Sequence, residues 1–479
     1  MEFGIDKKQN PFRLQNEMSR FFWNQVAPAL EKVFDELSAD NELIRIESLF
    51  IDLGELSQEV LLSGKDLPYI YEKVLLQVRE AIRNAAERKI FERRSNVTEQ
   101  WIFYMQNGYL NWNHVKPDEN WYRKVLEEFA TGFASVTELR KLIGGDGVAL
   151  QRIILQHNEI YLRQLVEILT AEKQSALTDF IIDLLLLFNE MGKKFNRPFA
   201  VTGELKRNIW RKVLKSAAQR NTQKGSNLFL EELVQQLIAR NHNENEWYNL
   251  ISGMSPQVPV LRELLIDKIG DTAGHRPLVK NKKEEAELLI KSAEEFIEET
   301  KIQEDKEPDK NIDEGIYVQF AGLILLHPFL AMFFSRLDLV REGQFIDRNS
   351  HEKALYLLYY LATGSDHPEE YELILPKILL SFPLYEPVIK DIKVNEEEKE
   401  EAEQLLREAI QKWTILKNTS PAGLRDGFLQ RKGKYYSKDD KLFLQVETAS
   451  IDMLLDHLPW NLSIVKLPWS KELLRVEWR

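Results

Sequence analysis

The run Ile316–Phe334, IYVQFAGLILLHPFLAMFF, approaches the roughly 20 apolar residues that cross a bilayer, so it decides between a membrane chain and a chain built around a buried segment. Its chemistry favours burial in protein. Gln319 and His327 would lose their hydration in lipid, Pro328 interrupts the backbone hydrogen-bond ladder, and no Lys/Arg asymmetry flanks the run. The expectation is a central buried helix and no stable membrane span. Asp313 and Glu314 stand in front of it, where the positive end of a helix dipole favours carboxylates.

A chain of 479 residues with 44% apolar and 29% charged residues can bury such a segment in a sizeable core. It contains no cysteine, which rules out disulfides and thiolate metal sites and fits a reducing compartment. The residues Met1–Lys8 carry no apolar stretch of the kind a signal peptide needs. A net charge of −12 is wrong for a broad basic footprint on phosphate, so no nucleic-acid partner is expected.

Periodicity divides the chain. Apolar residues three and four apart predict helices over Phe12–Leu37 and Leu67–Arg94, with a strand over Leu43–Leu53 between them. From Thr98 to Ile269 the pattern is helical throughout, with helices over Asn120–Phe129, Val148–Leu169, Leu177–Met191, Leu205–Ala218 and Leu228–Ile238. Charged residues dominate Lys280–Lys310, where Leu288, Leu289, Ala293, Phe296 and Ile297 keep a helical stripe; a lone amphipathic helix in a linker is expected. Further helices follow over His351–Ala362, Tyr371–Leu380 and Glu396–Leu416. The chain then turns to β character, with a hairpin formed by Gly427–Arg431 and Leu442–Val446 and terminal strands over Leu462–Val465 and Leu474–Trp478. The fold class is therefore mainly α with small β elements (α+β). The expected units are an N-terminal helix-strand-helix unit (1–115), a helical region (116–270), a charged linker (271–314) and a C-terminal helical domain with hairpin and terminal strands (315–479).

The search for chemistry returns little. The histidines form no H-E-x-x-H pair, and His327 in its apolar run reads as a hydrogen-bonded core histidine. Gly144, Gly145 and Gly147 read as a turn between helices rather than a phosphate cradle, and Asp366-His367 as a helix-to-helix turn rather than a dyad. No P-loop or G-x-S-x-G elbow occurs. No catalytic residue, cofactor or metal is expected. The informative residues are aromatic. Leu458-Pro459-Trp460 and Leu467-Pro468-Trp469 repeat one triplet, and Trp478 follows. Proline fixes each corner and places an indole. Pro459, Trp460, Pro468, Trp469 and Trp478 are thus the candidate partner-binding residues, since Trp is enriched at interface hot spots. Their other reading is a satellite core under the terminal strands.

The same residues carry a resemblance. The stretches FAGLILLHPFLAMFFSRLDL, GQFID, ALYLLYYLATG, ELILPKILLSFPLYEPV, KNTSPAGLRDGFLQRKGK and the ending IDMLLDHLPWNLSIVKLPWSKELLRVEW resemble the C-terminal region of the contractile injection system tape measure family. Near the front, LIRIESLFIDLGEL and TEQWIFYMQNGYLNW look like that family's early strand and its short helix-plus-Gly motif, with Asn111-Trp112 where the family commonly has a Leu-Pro-Trp-type sequence. The resemblance implies a non-catalytic structural component of a bacterial phage-tail-like particle that sets inner-tube length. Its implied partners are inner-tube, baseplate or spike proteins, with a homo-oligomer also admitted. It implies a cytoplasmic location during assembly and then a place within the particle. A fully helical ruler of this length would reach on the order of 700 Å, whereas a folded chain of this size has a radius of gyration of about 23 Å. The compact pattern suits the alternative, a folded adaptor or assembly chaperone that binds tube or baseplate subunits.

Overall fold

The computed structural model describes residues 26–28, 30, 32, 71–79, 97–110, 117–196, 202–220, 229–238, 244–254, 257–269, 282–298, 315–390, 392–416, 418–439 and 441–478. The chain forms two compact units, Met1–Asn96 and Val97–Arg479. In the first, residues 71–79 are helical, which agrees with the helix expected there; Val74 and Val78 are buried, and the Lys32 ammonium lies 4.6 Å from the Tyr71 ring centroid. The strand expected over Leu43–Leu53 and most of the Phe12–Leu37 helix lie outside the described residues.

The second unit begins with helices whose starts are written in their caps. Asp118 accepts from Trp121 N (2.6 Å) at the start of Glu119–Thr131, and Asp146 accepts from Val148 N and Ala149 N at the start of Gly147–Gln156. Gly144 and Gly145 close the helix before Asp146, so the glycine cluster is the expected turn. The single helix expected over Val148–Leu169 is two, Gly147–Gln156 and Glu159–Thr170. The apolar stripe runs through the break, but the Asn158 carboxamide accepts from Tyr161 N (2.9 Å) and starts a new helix. Asn158→Ala should cost about 1 kcal/mol, read from the urea midpoint of the purified chain.

Helices Leu177–Lys194, Thr202–Gln219, Phe229–Ile238 and Pro259–Ile269 bury Phe180, Leu184, Ile209, Val213, Leu233 and Leu261 in one core. Asp183 accepts from Val260 N (2.8 Å) and Leu261 N (3.0 Å), so a side chain of one helix supplies the anion at the start of another. The helix Lys282–Glu298 is not the lone linker helix its composition suggests. Leu289, Ala293 and Phe296 are buried in this same core, with Phe296 6.3 Å from Phe188, because a few apolar residues on one face suffice to dock a helix that is charged elsewhere.

The Ile316–Phe334 run is mostly buried, with Tyr317, Pro328 and Met332 exposed, and it is not one helix. It forms strand β1 (Ile316–Val318), a left-handed residue Phe320 (φ 60°), a 3-10 helix Ala321–Leu326 and an α-helix His327–Arg336. Pro328 stands in the first turn of that last helix, where its missing N–H costs nothing. Among the described residues no helix is long and apolar enough to cross a membrane. A small hairpin follows, β2 (Val340–Arg341) with β3 (Gln344–Phe345). Helices Arg348–Thr363 and Glu396–Lys412 start on Asp347 and on a reciprocal Asn395–Glu398 capping box.

The expected C-terminal hairpin is present, with its first strand displaced. β4 is Gly433–Lys438 and β5 is Lys441–Val446, turning at Asp439 (φ 50°), whereas Arg425–Leu429 is a π-helical turn. Phe428 and Leu429 are buried at adjacent positions, which the alternation of a one-sided strand does not allow. β6 (Ile464–Val465) and β7 (Leu474–Glu477) complete a sheet of order β1-β4-β5-β7-β6, with β7 parallel to β5. A second core forms around this sheet and the helices after 315, so Val97–Arg479 holds two hydrophobic cores.

Candidate docking cleft

The three candidate tryptophans do not converge on one surface. Trp469 is buried, donates from Nε1 to Leu379 O (2.8 Å) and packs against Phe334 (5.7 Å) and Phe345 (5.2 Å). Trp478 is buried too, and its Nε1 donates to Asp452 Oδ2 (3.3 Å) while Arg431 meets the other oxygen (3.3 Å). Both are therefore interior anchors rather than outward-facing residues, since each indole N–H has an acceptor within the fold. Trp460 is half-buried; it donates to Leu325 O (3.1 Å) and stands edge-on to Phe329 (5.2 Å). Pro459 and Pro468 are exposed, with Pro468 against the Gly343 turn of the β2–β3 hairpin.

Beside Trp469 lies a half-open cleft of about 450 Å³, lined by Phe382, Leu384, Tyr435, Leu442, Leu467, Lys471 and Glu472 among others. Burial, with Glu472 nearby, pushes the Tyr435 phenol up to about 12, so it stays a neutral donor in the cleft wall. An apolar lining with a few polar groups is what a docked side chain requires.

A second constellation was invisible in the sequence. Glu370 meets Arg152 Nε (3.1 Å) through one oxygen and Lys377 Nζ (2.8 Å) through the other, and all three side chains are fully buried. Further donors go to backbone carbonyls: Arg152 to Met105 and Tyr385, and both remaining Lys377 N–H groups to Leu384 (3.2 Å) and Glu386 (2.7 Å). Burial lowers the Lys377 pKa and Glu370 opposes it. With its donors consumed internally, the network positions chain segments.

His157, His327 and His351 are likewise held by backbone carbonyls. His327 Nδ1 faces Ile324 O (3.0 Å), so the histidine is hydrogen-bonded as expected, but it is half-buried at the start of its helix rather than in the core. Asp366 and His367 approach to 3.4 Å on the loop after the left-handed cap Gly364, but Asp366 also pairs with Lys399 (3.1 Å). His157 is walled in by Trp101, Tyr122 and Tyr161; its Nδ1 faces Ile153 O (2.9 Å) and its Nε2 accepts from Trp101 Nε1 (3.2 Å). Burial drives its pKa from the ordinary 6.5 to about 3. Between those values the unfolded chain takes the proton before the folded one, so stability falls as pH falls through that window. The loss is up to about 1.4 kcal/mol per pH unit. Urea unfolding at stepped pH should show a shallower acid-side slope for His157→Gln than for the native chain.

Among the described residues no group of three or more acidic or histidine side chains is placed to hold a metal ion. No curated protein and no solved structure matches the chain. The model of one protein family, described as contractile injection system tape measure protein, matches residues 1–478. The match spans both the front segments and the LPW-containing end, and the chain belongs to the contractile injection system tape measure protein family.

Proposed function

We propose that this chain is a non-catalytic structural component that sets inner-tube length, is made in the cytoplasm and acts by binding inner-tube, baseplate or spike proteins. The observation that carries the reading is the family match over 1–478, together with buried charges spent on internal contacts. The test is a graded series of insertions and deletions within the charged stretch 299–313, read as particle length by electron microscopy. Length should change in step with the series. Constant length would overturn the ruler reading.

One observation favours a second reading, the folded adaptor or assembly chaperone: Val97–Arg479 is a single compact unit, with side-chain caps at several of its helix starts. On this reading the contact surface is Trp460 with the adjoining Pro459, and Trp469 and Trp478 are interior anchors of the same terminal segment. Trp460→Ala should weaken co-purification with tube or baseplate subunits by about tenfold or more, the scale of an interface hot spot. Undiminished capture counts against this surface.

A further inference from the structure

The two cores of the Val97–Arg479 unit differ from the seam between them. Inside each core, side chains such as Phe180, Leu184 and Phe188, or Leu405, Leu406 and Ile410, pack as apolar stripes. The seam is made mostly of charge and hydroxyl, with Tyr371 of the C-terminal side set into the helical core and Tyr109 of the helical side set into the C-terminal core. From the helical side come Arg152 and Gln156; from the C-terminal side come Glu370, Lys377 and the carbonyls of residues 384–388. Gln156 donates to Val388 O (2.8 Å), and Lys390, paired with Glu369 on its own side (3.0 Å), reaches Gln156 O across the seam (3.5 Å). Tyr104 and Tyr371 meet edge to face at 5.8 Å, and neither hydroxyl has a hydrogen-bond partner among the described residues. Gly108 (φ 79°) closes the seam by backbone, since a Cβ there would come within 3.0 Å of both Arg152 Nη2 and Glu370 Oε1.

Such a seam holds shut differently from an apolar core. Dehydrating two cations and one carboxylate costs nearly as much as their attraction returns, so a buried ion network fixes register more than it adds stability. A buried hydroxyl with no partner carries a penalty that water removes as soon as it enters. Opening the seam therefore restores hydration to Arg152, Gln156, Glu370, Lys377, Tyr104 and Tyr371, and withdraws only Tyr371 and Tyr109 from the two apolar cores. We propose that the seam is a separable joint: the helical core and the C-terminal core part from each other there while each stays folded, and Arg152 is the latch that closes them in one register, crossing to Glu370 and to Tyr385 O while Lys377 holds Glu370 in place from its own side. The joint stands whether or not the chain sets tube length.

Native-state hydrogen exchange on the full chain, followed by mass spectrometry across a urea series, tests it. The loop 384–390, which lies outside any helix and whose carbonyls take donors from Arg152 and Gln156 across the seam, should exchange through an opening that depends only weakly on urea. Segments 180–188 and 405–410 should exchange later and with the steep dependence of global unfolding. Glu370→Gln leaves two buried cations facing a neutral amide and should speed seam exchange about tenfold or more, with both cores unchanged. The combined replacement Arg152→Met, Glu370→Leu, Lys377→Met removes the charge at similar volume and should slow seam exchange below native. Exchange of seam and cores with the same urea dependence in the native chain overturns the joint, and that measurement stands even where a variant does not fold. Seam exchange unmoved by Glu370→Gln overturns the latch.

Discussion

Gly322→Ala should destabilise the Val97–Arg479 unit by about 3 kcal/mol or more, near the upper end of what overpacking costs. The 3-10 helix Ala321–Leu326 lies directly against the π-helical turn Arg425–Leu429, and only hydrogen separates the two backbones at Gly322. A Cβ there would sit 1.8 Å from Phe428 O and 2.8 Å from Leu429 Cα. Neither backbone can swing aside cheaply, because Ala321 N donates to Arg431 O (2.7 Å) and Gln430 N to Arg425 O (3.0 Å). Gly144→Ala is the control: nothing lies within 4 Å of its added methyl, and it sits in a helix, so a gain of about 0.5–1 kcal/mol is expected. Both are read as urea midpoints by circular dichroism. A Gly322→Ala chain that melts at the native midpoint would show that the two backbones do not approach this closely.

That close approach also explains what the sequence leaves unread. Ile316–Phe334 is apolar in every phase, and a run with no period cannot separate a helix from a strand, a 3-10 turn and a short helix in series. Amphipathic segments were legible where stripe and cap agree, as at Glu119–Thr131 with Asp118 and Glu396–Lys412 with Asn395. They misled where the two conflict: the stripe continues through His157, while Asn158 stops it. In Lys282–Glu298 the charge count concealed the few apolar residues that dock the helix. At the candidate site, the triplets around Trp460 and Trp469 were visible, but the direction of each indole was not. The carbonyls that take their N–H groups, Leu325 and Leu379, come from elements 135 and 90 positions away. The ion network lay further out of reach, since Arg152 and Glu370 are 218 positions apart and neither belongs to a chemical motif.

Trp469→Ala is the substitution that separates anchoring from docking. Truncating a buried indole should cost about 3–5 kcal/mol. The loss spreads beyond the side chain itself. Trp469 packs on Phe345, which stacks on the His351 ring at 4.1 Å, and His351 Nε2 in turn faces Leu380 O (2.8 Å). Leu379 O would be left without its donor in a buried position. Trp469→Phe keeps an aromatic ring and drops the hydrogen bond, so it should cost less, about 1–3 kcal/mol. Trp460 is only half-buried, and Trp460→Ala should fall in the same lower range or below. Measured together, urea midpoints and co-purification with tube or baseplate subunits should move in opposite order. Trp469→Ala should lose stability first and capture only as a consequence; Trp460→Ala should lose capture while most of its stability remains. A Trp469→Ala chain with the native midpoint and no capture would reverse the assignment, turning the interior anchor into the docking residue.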